Sequence, residues 1–412
     1  MVDRMNPESS AANLCAANPS LRHRLPLYPS QFLIAMAMVS IGPLLDPMMR
    51  EFGVPLSRGG LMSAGLYVGN VSAIVILNTL LARWPAKWPL VGGTVLQGVA
   101  LVAAGALSWN LWSLIAAYVF VGFGGALMNT TCWIWISNHM VDNRAAAALR
   151  MITVFALAMM AVPLLIGFVV DAGISWRWIL AAEGALALLA ALSFAFLPLL
   201  DVCGRQNVRL KHLRTVFAWD PKLLLGMVVA GFTYVGAEMT MNVWLPKFHI
   251  DVFHASDSWA GFTVTLFWVG LTGGRLLVTA LTRRFAPSRL LLVCGCAFTV
   301  FMVTVALAPS QIASLILAVG AGLGASASYG LIGSYAGRFP GWQSTVATSL
   351  FIFSGGVGSI AFPYLMGPLA SAVGFRIAFV MVAVLPLIYA GASLLIHSRA
   401  GEGAGWRLRR AG

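Results

Sequence analysis

Long apolar stretches, separated by short polar ones, run along almost the whole chain. Each is close to the roughly 20 residues that cross a bilayer as a helix. Lipid offers no partners to exposed backbone groups, and the stretches are too long for barrel strands, so helices are expected. The pattern predicts an all-α polytopic membrane protein with twelve spans, numbered first to twelfth: 30–50, 58–82, 88–107, 110–137, 146–170, 176–199, 222–246, 258–282, 287–307, 310–336, 342–370 and 374–396.

The composition supports a membrane protein, because 59% of the 412 residues are hydrophobic and only 9% are charged. A soluble domain carries roughly 25% charged residues. The net charge is +13, and the positive residues are concentrated on one side of the membrane. If both termini are cytoplasmic, twenty of the 26 Lys and Arg residues fall on the inner side. This follows the positive-inside rule. We therefore expect a multi-pass protein of the plasma membrane (bacterial inner membrane), with cytoplasmic termini and no nucleic-acid partner.

A basic stretch, "DVCGRQNVRLKHLRTVFAWDP", separates six spans from six. The two halves share anchor residues: Arg83 and Arg284 are 201 positions apart, and Arg177 and Arg376 are 199 apart. Nearly equal offsets indicate duplication of a six-helix unit. The predicted divisions are a cytoplasmic tail at 1–28, an N-terminal half at 29–200, a basic cytoplasmic linker at 201–221, a C-terminal half at 222–397 and a cytoplasmic tail at 398–412.

Twelve spans in two related halves around a basic loop resemble the major facilitator superfamily of secondary transporters. Its signature between the second and third spans is Gly-x-x-x-Asp-Arg-x-Gly-Arg-Arg/Lys, and here the stretch is "NTLLARWPAK". Arg83 and Lys87 match, but Ala82 replaces the acid on which the family's charge latch depends. The second-half copy, "TALTRRFAPS", retains Arg284. The resemblance implies alternating access, with Arg83 and Arg284 as gating or structural charges.

Residues 232–292 are similar to the fucose/galactose/glucose:proton symporter family, through "YVGAE" and a later tryptophan in the seventh span, "GGRLL" in the eighth and "RRFAPSRLL" after it. That family is thought to use carboxylates in the first and fourth spans for coupling and sugar binding. Gly42 and Leu127 stand at the corresponding positions. The resemblance favours a sugar-like solute, and Asp46, four residues past Gly42, becomes the candidate for a relocated first-span acid.

Glu238 is the leading candidate for a proton-coupling group. It lies deep in the seventh span, and a carboxyl inside a span is costly unless it faces a cavity or a partner. Burial disfavours its charged form, which suits proton exchange. At helical spacing Tyr234 and Asn242 share its face, with Trp244 toward the edge, so this face offers groups for a polar solute. The alternative is a carboxyl that stays protonated or pairs permanently with Arg275.

Three other charges inside spans leave two interpretations open. Asp46 lies between prolines that break a helix, which suits a cavity and proton coupling, or it pairs with Arg50 one turn on. Glu183 follows "SWRWILAA", and its position favours a structural role, as a pairing at a helix end or between helices. Arg275 shares a face with Trp268 and Thr272, which suits solute binding, gating or a structural ion pair.

The first half offers further candidates for solute binding. Asn129 and Trp133 lie one turn apart in the fourth span, and an amide beside an indole is typical of a wall that binds a sugar. Hydrogen bonding between helices is the alternative. Tyr67 in the second span is a weaker candidate of the same kind. The five cysteines form no Cys-x-x-Cys motif, so neither a disulfide nor a metal site is predicted.

These observations favour a proton-coupled transporter of a small polar organic solute, with sugar-like compounds leading. A proton-driven exporter of an organic solute or drug is the alternative, and a non-transporting membrane sensor is less favoured. "AVGAGLGASASYG" has no preceding strand and no following lysine, so no nucleotide-binding loop is predicted. No catalytic constellation appears, so an enzyme is not expected. We expect a monomer in the bilayer without a cofactor.

Overall fold

A computed structural model describes residues 21–80, 85–140, 144–197, 211–326 and 328–400. Within these ranges the chain is helical and contains no strand. The helices after the short turn Leu21–Arg24 are Leu27–Val39, Ile41–Phe52, Leu56–Leu80, Lys87–Leu107, Leu111–His139, Arg144–Asp171, Trp176–Phe196, Lys211–Trp219, Pro221–Phe253, Asp257–Leu281, Pro287–Leu307, Gln311–Ala325, Ser328–Ser334, the 3-10 turn Tyr335–Arg338, Trp342–Val373, Phe375–Val382 and Val384–Ala400.

The all-α polytopic fold is confirmed. Among the described residues, ten helices are long and apolar enough to cross a membrane, and an eleventh span is counted if a bent pair forms one crossing. The remaining predicted span, the second, corresponds to helix Leu56–Leu80. The order of helices is therefore consistent with the twelve predicted spans.

The first span is broken rather than continuous. Helices Leu27–Val39 and Ile41–Phe52 meet at Ser40 with a bend of 42°. Pro43 has no N–H for the carbonyl of Val39, and its ring crowds that carbonyl, so the break falls one turn before the proline. The expected local break is thus present, and it sets the direction of the segment that carries Asp46.

Packing divides the chain into two compact units that do not follow chain order. Of the described residues, one unit comprises those within 21–38, 68–158 and 175–197, and the other comprises those within 39–67, 159–174 and 211–400. In the first, the third span packs on the fourth and sixth; in the second, the ninth packs on the tenth and twelfth. The division into halves at 29–200 and 222–397 remains a prediction from the sequence.

The repeated arginines make equivalent contacts in both units. Arg177, in the sixth span, donates to the carbonyl oxygens of Gly105 (3.0 Å) and Ser108 (2.8 Å) at the end of the third span. Arg376, in the twelfth, donates to those of Ala306 (2.7 Å) and Ala308 (2.9 Å) at the end of the ninth. The last carbonyls of a helix have no partner within it and carry partial negative charge. Each arginine therefore ties two spans of its own unit together.

The predicted linker contains a helix that the charge pattern does not reveal. Helix Lys211–Trp219 occupies its second part, and Asp220 then begins the seventh span. The Asp220 carboxylate accepts a hydrogen bond from the N–H of Leu223 at 3.0 Å, and Pro221 occupies the first helical position. Both features are favoured at a helix start, which explains why the long seventh span begins at this point.

Candidate functional site

Glu238 lies inside the longest helix of the described residues, Pro221–Phe253, with only 5% of its surface exposed. Nearly every residue between Thr233 and His249 is buried as well, so this carboxyl is held deep in protein rather than at an interface with water. A carboxyl at such a depth needs a neighbour or a proton to be stable.

The neighbours of Glu238 are an arginine and three phenols. Arg275 of the eighth span acts electrostatically on the carboxyl, and Tyr234 lies one turn earlier on the same helix, with a buried hydroxyl that has no hydrogen-bond partner among the described residues. Tyr67 and Tyr329 also feel its charge. The surroundings of Glu238 therefore combine one cation with phenol groups from three spans.

Tyr67 is connected to the seventh span by a second contact. Its hydroxyl lies 2.8 Å from the Sδ atom of Met239, the residue next to Glu238. Thioether sulfur is only a weak acceptor, so this contact places the phenol without holding it strongly. Tyr67 thus lies against the residue that follows Glu238, and its role in solute binding stays a prediction.

Asn242 and Trp268 form a buried pair between the seventh and eighth spans. The indole Nε1–H of Trp268 donates to Oδ1 of Asn242 at 3.0 Å. The amide is fully buried, and its Nδ2 has no hydrogen-bond partner among the described residues. Asn242 therefore faces the side of the eighth span that carries Trp268. Its amide oxygen has a hydrogen-bond partner, and its amide nitrogen has none among the described residues.

Trp244 occupies a packed position in this structure. Its Nε1–H donates to the backbone carbonyl of Pro363 in the eleventh span at 2.7 Å, and its ring packs near that of Phe375. The side chain is fully buried. The indole therefore joins the seventh span to the eleventh and twelfth, while its role in solute binding stays a prediction.

Asp46 belongs to a group of charges from four spans. Lys247 places its Nζ 2.6 Å from Oδ1 of Asp46 and 2.6 Å from Oδ1 of Asp251. Arg50 lies 2.7 Å from Oδ2 of Asp46 and 3.9 Å from Oδ2 of Asp257. We call these residues, together with Asp171, the Asp46 cluster. Both cations contact the Asp46 carboxylate, so the pairing with Arg50 considered from the sequence is present.

Asp171 extends the cluster by capping a helix. Its Oδ1 accepts from the backbone N–H of Asp257 at 2.9 Å, and its Oδ2 accepts from that of Ser258 at 3.0 Å. Asp171 ends the fifth span, and Asp257 begins the eighth. A carboxylate at a helix N-terminus satisfies free N–H groups and the positive end of the dipole. This cap therefore joins a span of the first sequence half to one of the second.

The first-half candidates make contacts within the other unit. The Oδ1 atom of Asn129 accepts from Nε2 of Gln31 in the first span at 3.3 Å, a long hydrogen bond. The Trp133 ring is exposed. Glu183 is buried and interacts electrostatically with Tyr118 of the fourth span, and its structural use stays a prediction. Gln31 is not identifiable from the sequence, because its partner lies 98 positions away.

Arg284 and Arg83 are two of the predicted gating charges. Arg284 lies exposed in the turn after the eighth span. Arg83 falls outside the described residues. By contrast, sequence reasoning missed Lys247, just past the predicted seventh span, and Asp171, at the end of the fifth, because their partners are remote in sequence.

The described residues include no group of three or more His, Cys, Asp or Glu side chains that would hold a metal ion. Cys132, Cys294 and Cys296 are free thiols, and two of them are buried. The polar groups near Glu238 are instead a guanidinium, phenols and an amide.

The Major Facilitator Superfamily profile matches residues 27–341, so the chain belongs to this superfamily of transporters. Protein TsgA homolog of Yersinia pestis (strain Pestoides F) is 22% identical over 285 residues, covering 67% of this chain and 69% of that protein. The homolog from Yersinia pseudotuberculosis serotype O:3 (strain YPIII) gives the same values.

Solved structures of transporters share the fold. A bacterial homolog of the human lysosomal transporter Spinster, inward-facing and occupied, has a TM-score of 0.78 at 16% identity, covering 92% of this chain and 98% of that one. A D-xylose-proton symporter has a TM-score of 0.75 at 13% identity, with coverages of 91% and 96%. The nucleoside transporter NupG has a TM-score of 0.71 at 16% identity, with coverages of 91% and 98%. The chain is thus a membrane transporter, and not an enzyme, by family and fold.

Proposed function

We propose that the protein is a secondary active transporter that moves a small polar organic solute by proton-coupled alternating access. The observation that carries the proposal is Glu238, a buried carboxyl in the seventh span that interacts electrostatically with Arg275 of the eighth. Ionisable groups at such depth are costly and mark proton or ion pathways in transporters. Two of the structural relatives, a D-xylose-proton symporter and a nucleoside transporter, support the solute class.

Proton exchange at Glu238 follows from two opposed effects. Burial penalises the charged carboxylate, whereas the guanidinium of Arg275 stabilises it. A conformational change that alters the distance between these two groups changes which form of the carboxyl is favoured. Binding a proton then becomes linked to the direction in which the carrier is open.

The Asp46 cluster supplies contacts for one closed state. The first and fifth spans belong to the predicted N-terminal half (29–200), and the seventh and eighth belong to the C-terminal half (222–397). In the proposed orientation, with both termini cytoplasmic, the cluster lies on the outer side of the plasma membrane. Separation of these spans would break the ion pairs of Asp46 and the helix cap of Asp171, and the outer path would open. Asp46 would thereby contribute to coupling through its ion pairs.

The solute would be bound by polar groups of both halves. Asn242, Tyr234 and Tyr67 offer an amide and two phenols near Glu238, and Trp244 adds an aromatic face further along the seventh span. Asn129 and Trp133 are the proposed contribution of the first half. Amides that meet hydroxyls beside aromatic rings favour a sugar-like solute.

Transport assays in energised membrane vesicles test the function and its direction. A thermal-shift screen of sugars, nucleosides, organic acids and amino compounds on detergent-purified protein identifies the solute to use. Right-side-out vesicles should accumulate that solute, and a protonophore should abolish the accumulation. Accumulation in inverted vesicles only would instead identify an exporter. If a solute stabilises the protein but never crosses the membrane, the protein is a sensor.

A further inference from the structure

The bond between Trp268 and Asn242 determines which way the Asn242 amide points. The oxygen and nitrogen of an amide are nearly alike in outline, so their assignment depends on hydrogen-bond partners. An indole N–H donates and cannot accept. The atom that meets Nε1 of Trp268 at 3.0 Å must therefore be the amide oxygen, Oδ1. The two N–H groups on Nδ2 are consequently directed elsewhere.

Those two donors are buried and have no hydrogen-bond partner within the described residues. An unsatisfied buried polar group costs about 1–3 kcal/mol, and native proteins contain few of them. Thr272, on the same face of the eighth span as Trp268, also has a hydroxyl without a partner there. Glu238 lies one turn from Asn242. Unused hydrogen-bonding groups thus gather beside the proposed coupling carboxyl.

We propose that Nδ2 of Asn242 donates to an acceptor oxygen of the solute, and that Trp268 is the positioning residue that keeps this donor pointing to it. This inference rests on the proposed function and sharpens its solute class. The solute presents a hydroxyl or carbonyl oxygen to the seventh span, beside Glu238. A solute without an acceptor at that point leaves the donors unpaired and is rejected.

The Asn242 amide is enclosed by packed helices, and the first span is one of them. The amide has no exposed surface, and Gly42 packs so closely that a Cβ on it would run into the backbone carbonyl of Asn242. A solute can therefore reach Nδ2 only after the packing around Asn242 has opened, and this close contact shows that the first span is part of that packing. The donor is hidden in this closed arrangement and becomes available with the opening movement of the carrier.

Binding in detergent tests the inference without a membrane or a gradient, so a failure of proton coupling leaves the result unaffected. The probes are D-xylose, D-glucose, L-fucose and uridine, each measured by thermal shift at millimolar concentration. At least one should stabilise the wild type and the control Trp259→Phe, which alters an exposed tryptophan of the same helix. Trp268→Phe should weaken binding about tenfold, as expected for about 1.4 kcal/mol. Asn242→Asp, which keeps the acceptor but loses both donors when ionised, should abolish it.

A purely structural role for Trp268 is separated by two further measurements. Trp268→His retains a ring N–H and should recover binding. Among deoxy analogues of the bound probe, the one lacking the contacted hydroxyl should lose about tenfold in affinity for the wild type and little for Trp268→Phe. Equal binding by the wild type and Trp268→Phe, equal losses for every analogue, or no response of the wild type to any probe would each overturn the inference.

Discussion

Removal of the Lys247 ammonium should destabilise the protein far more than loss of an exposed ion pair would. Lys247→Met removes the partner, 2.6 Å away, of an Asp46 carboxylate whose side chain is 5% exposed. Breaking a buried ion pair by deleting one member costs about 3–5 kcal/mol. Arg50 still contacts Asp46 here, and the Lys247 side chain is 12% exposed, so we expect about 2–3 kcal/mol.

A matched control uses the other carboxylate that Lys247 contacts. Asp251 is 32% exposed and lies at the same 2.6 Å from Nζ. An ion pair this open to water contributes up to about 1 kcal/mol, so Asp251→Asn should change stability little. The double variant Asp46→Asn/Lys247→Met removes both charges of the buried pair and should recover part of the loss, because the only carboxylate left without Lys247 is that of Asp251, which water reaches.

Thermal unfolding of the wild type and the three variants in detergent measures this order. The melting temperature of Lys247→Met should be the lowest, that of the double variant intermediate, and those of Asp251→Asn and wild type nearly equal. If Lys247→Met melts no lower than Asp251→Asn, the ion pair with Asp46 does not hold these spans together, and the proposed closing role of the Asp46 cluster fails.

Three further predictions concern other contacts. Arg376→Ala and Arg177→Ala should each cost about 2 kcal/mol in unfolding experiments, since each loses charge-assisted bonds to helix-end carbonyls; a large effect at only one arginine would contradict their equivalence. Gly42→Val should hold the first and seventh spans apart, because the added side chain would collide with the backbone carbonyl of Asn242. A membrane-impermeant thiol reagent should then label a cysteine placed at position 242 faster than it does when position 42 is glycine. Unchanged labelling would contradict the close contact. Asp171→Asn keeps a hydrogen-bond acceptor but loses the negative charge at the start of the eighth span, whereas Asp171→Ala loses the whole cap, which costs about 1 kcal/mol. The melting temperature of Asp171→Asn should therefore lie between those of the wild type and Asp171→Ala. A melting temperature of Asp171→Asn equal to that of the wild type would refute the charge contribution.

The sequence predicts the membrane fold because bilayer thickness fixes the length of each apolar stretch. The length and spacing of the apolar stretches locate the spans in the sequence, and no knowledge of how the spans pack is needed. The arginine pair at positions 177 and 376 is recognisable from its spacing, although its bonds to helix ends require coordinates. The break in the first span follows from Pro43, whose effect is local.

The contacts that build the site are harder to predict, because the groups come from spans far apart in sequence. Lys247 and Asp46 are 201 positions apart, and Trp268 and Asn242 are 26 apart on facing helices. Helical periodicity identifies which residues share a face of one helix, but it does not show which other helix packs against that face. Glu238 is recognisable from sequence because a carboxyl in an apolar span is conspicuous. Its interaction with Arg275 is only one of several alternatives that the sequence allows.

The central claim is that Glu238 carries the proton that drives transport. Glu238→Gln keeps the shape and polarity of the side chain but cannot release a proton, and Glu183→Gln, at the other deeply buried span glutamate, is the matched control. The measurement compares uphill uptake with counterflow exchange of the solute found in the thermal-shift screen, in vesicles with and without a pH gradient. We predict that Glu238→Gln loses uphill uptake but retains counterflow, and that Glu183→Gln, if it folds, retains both. Uphill uptake by Glu238→Gln at the wild-type level would contradict the account.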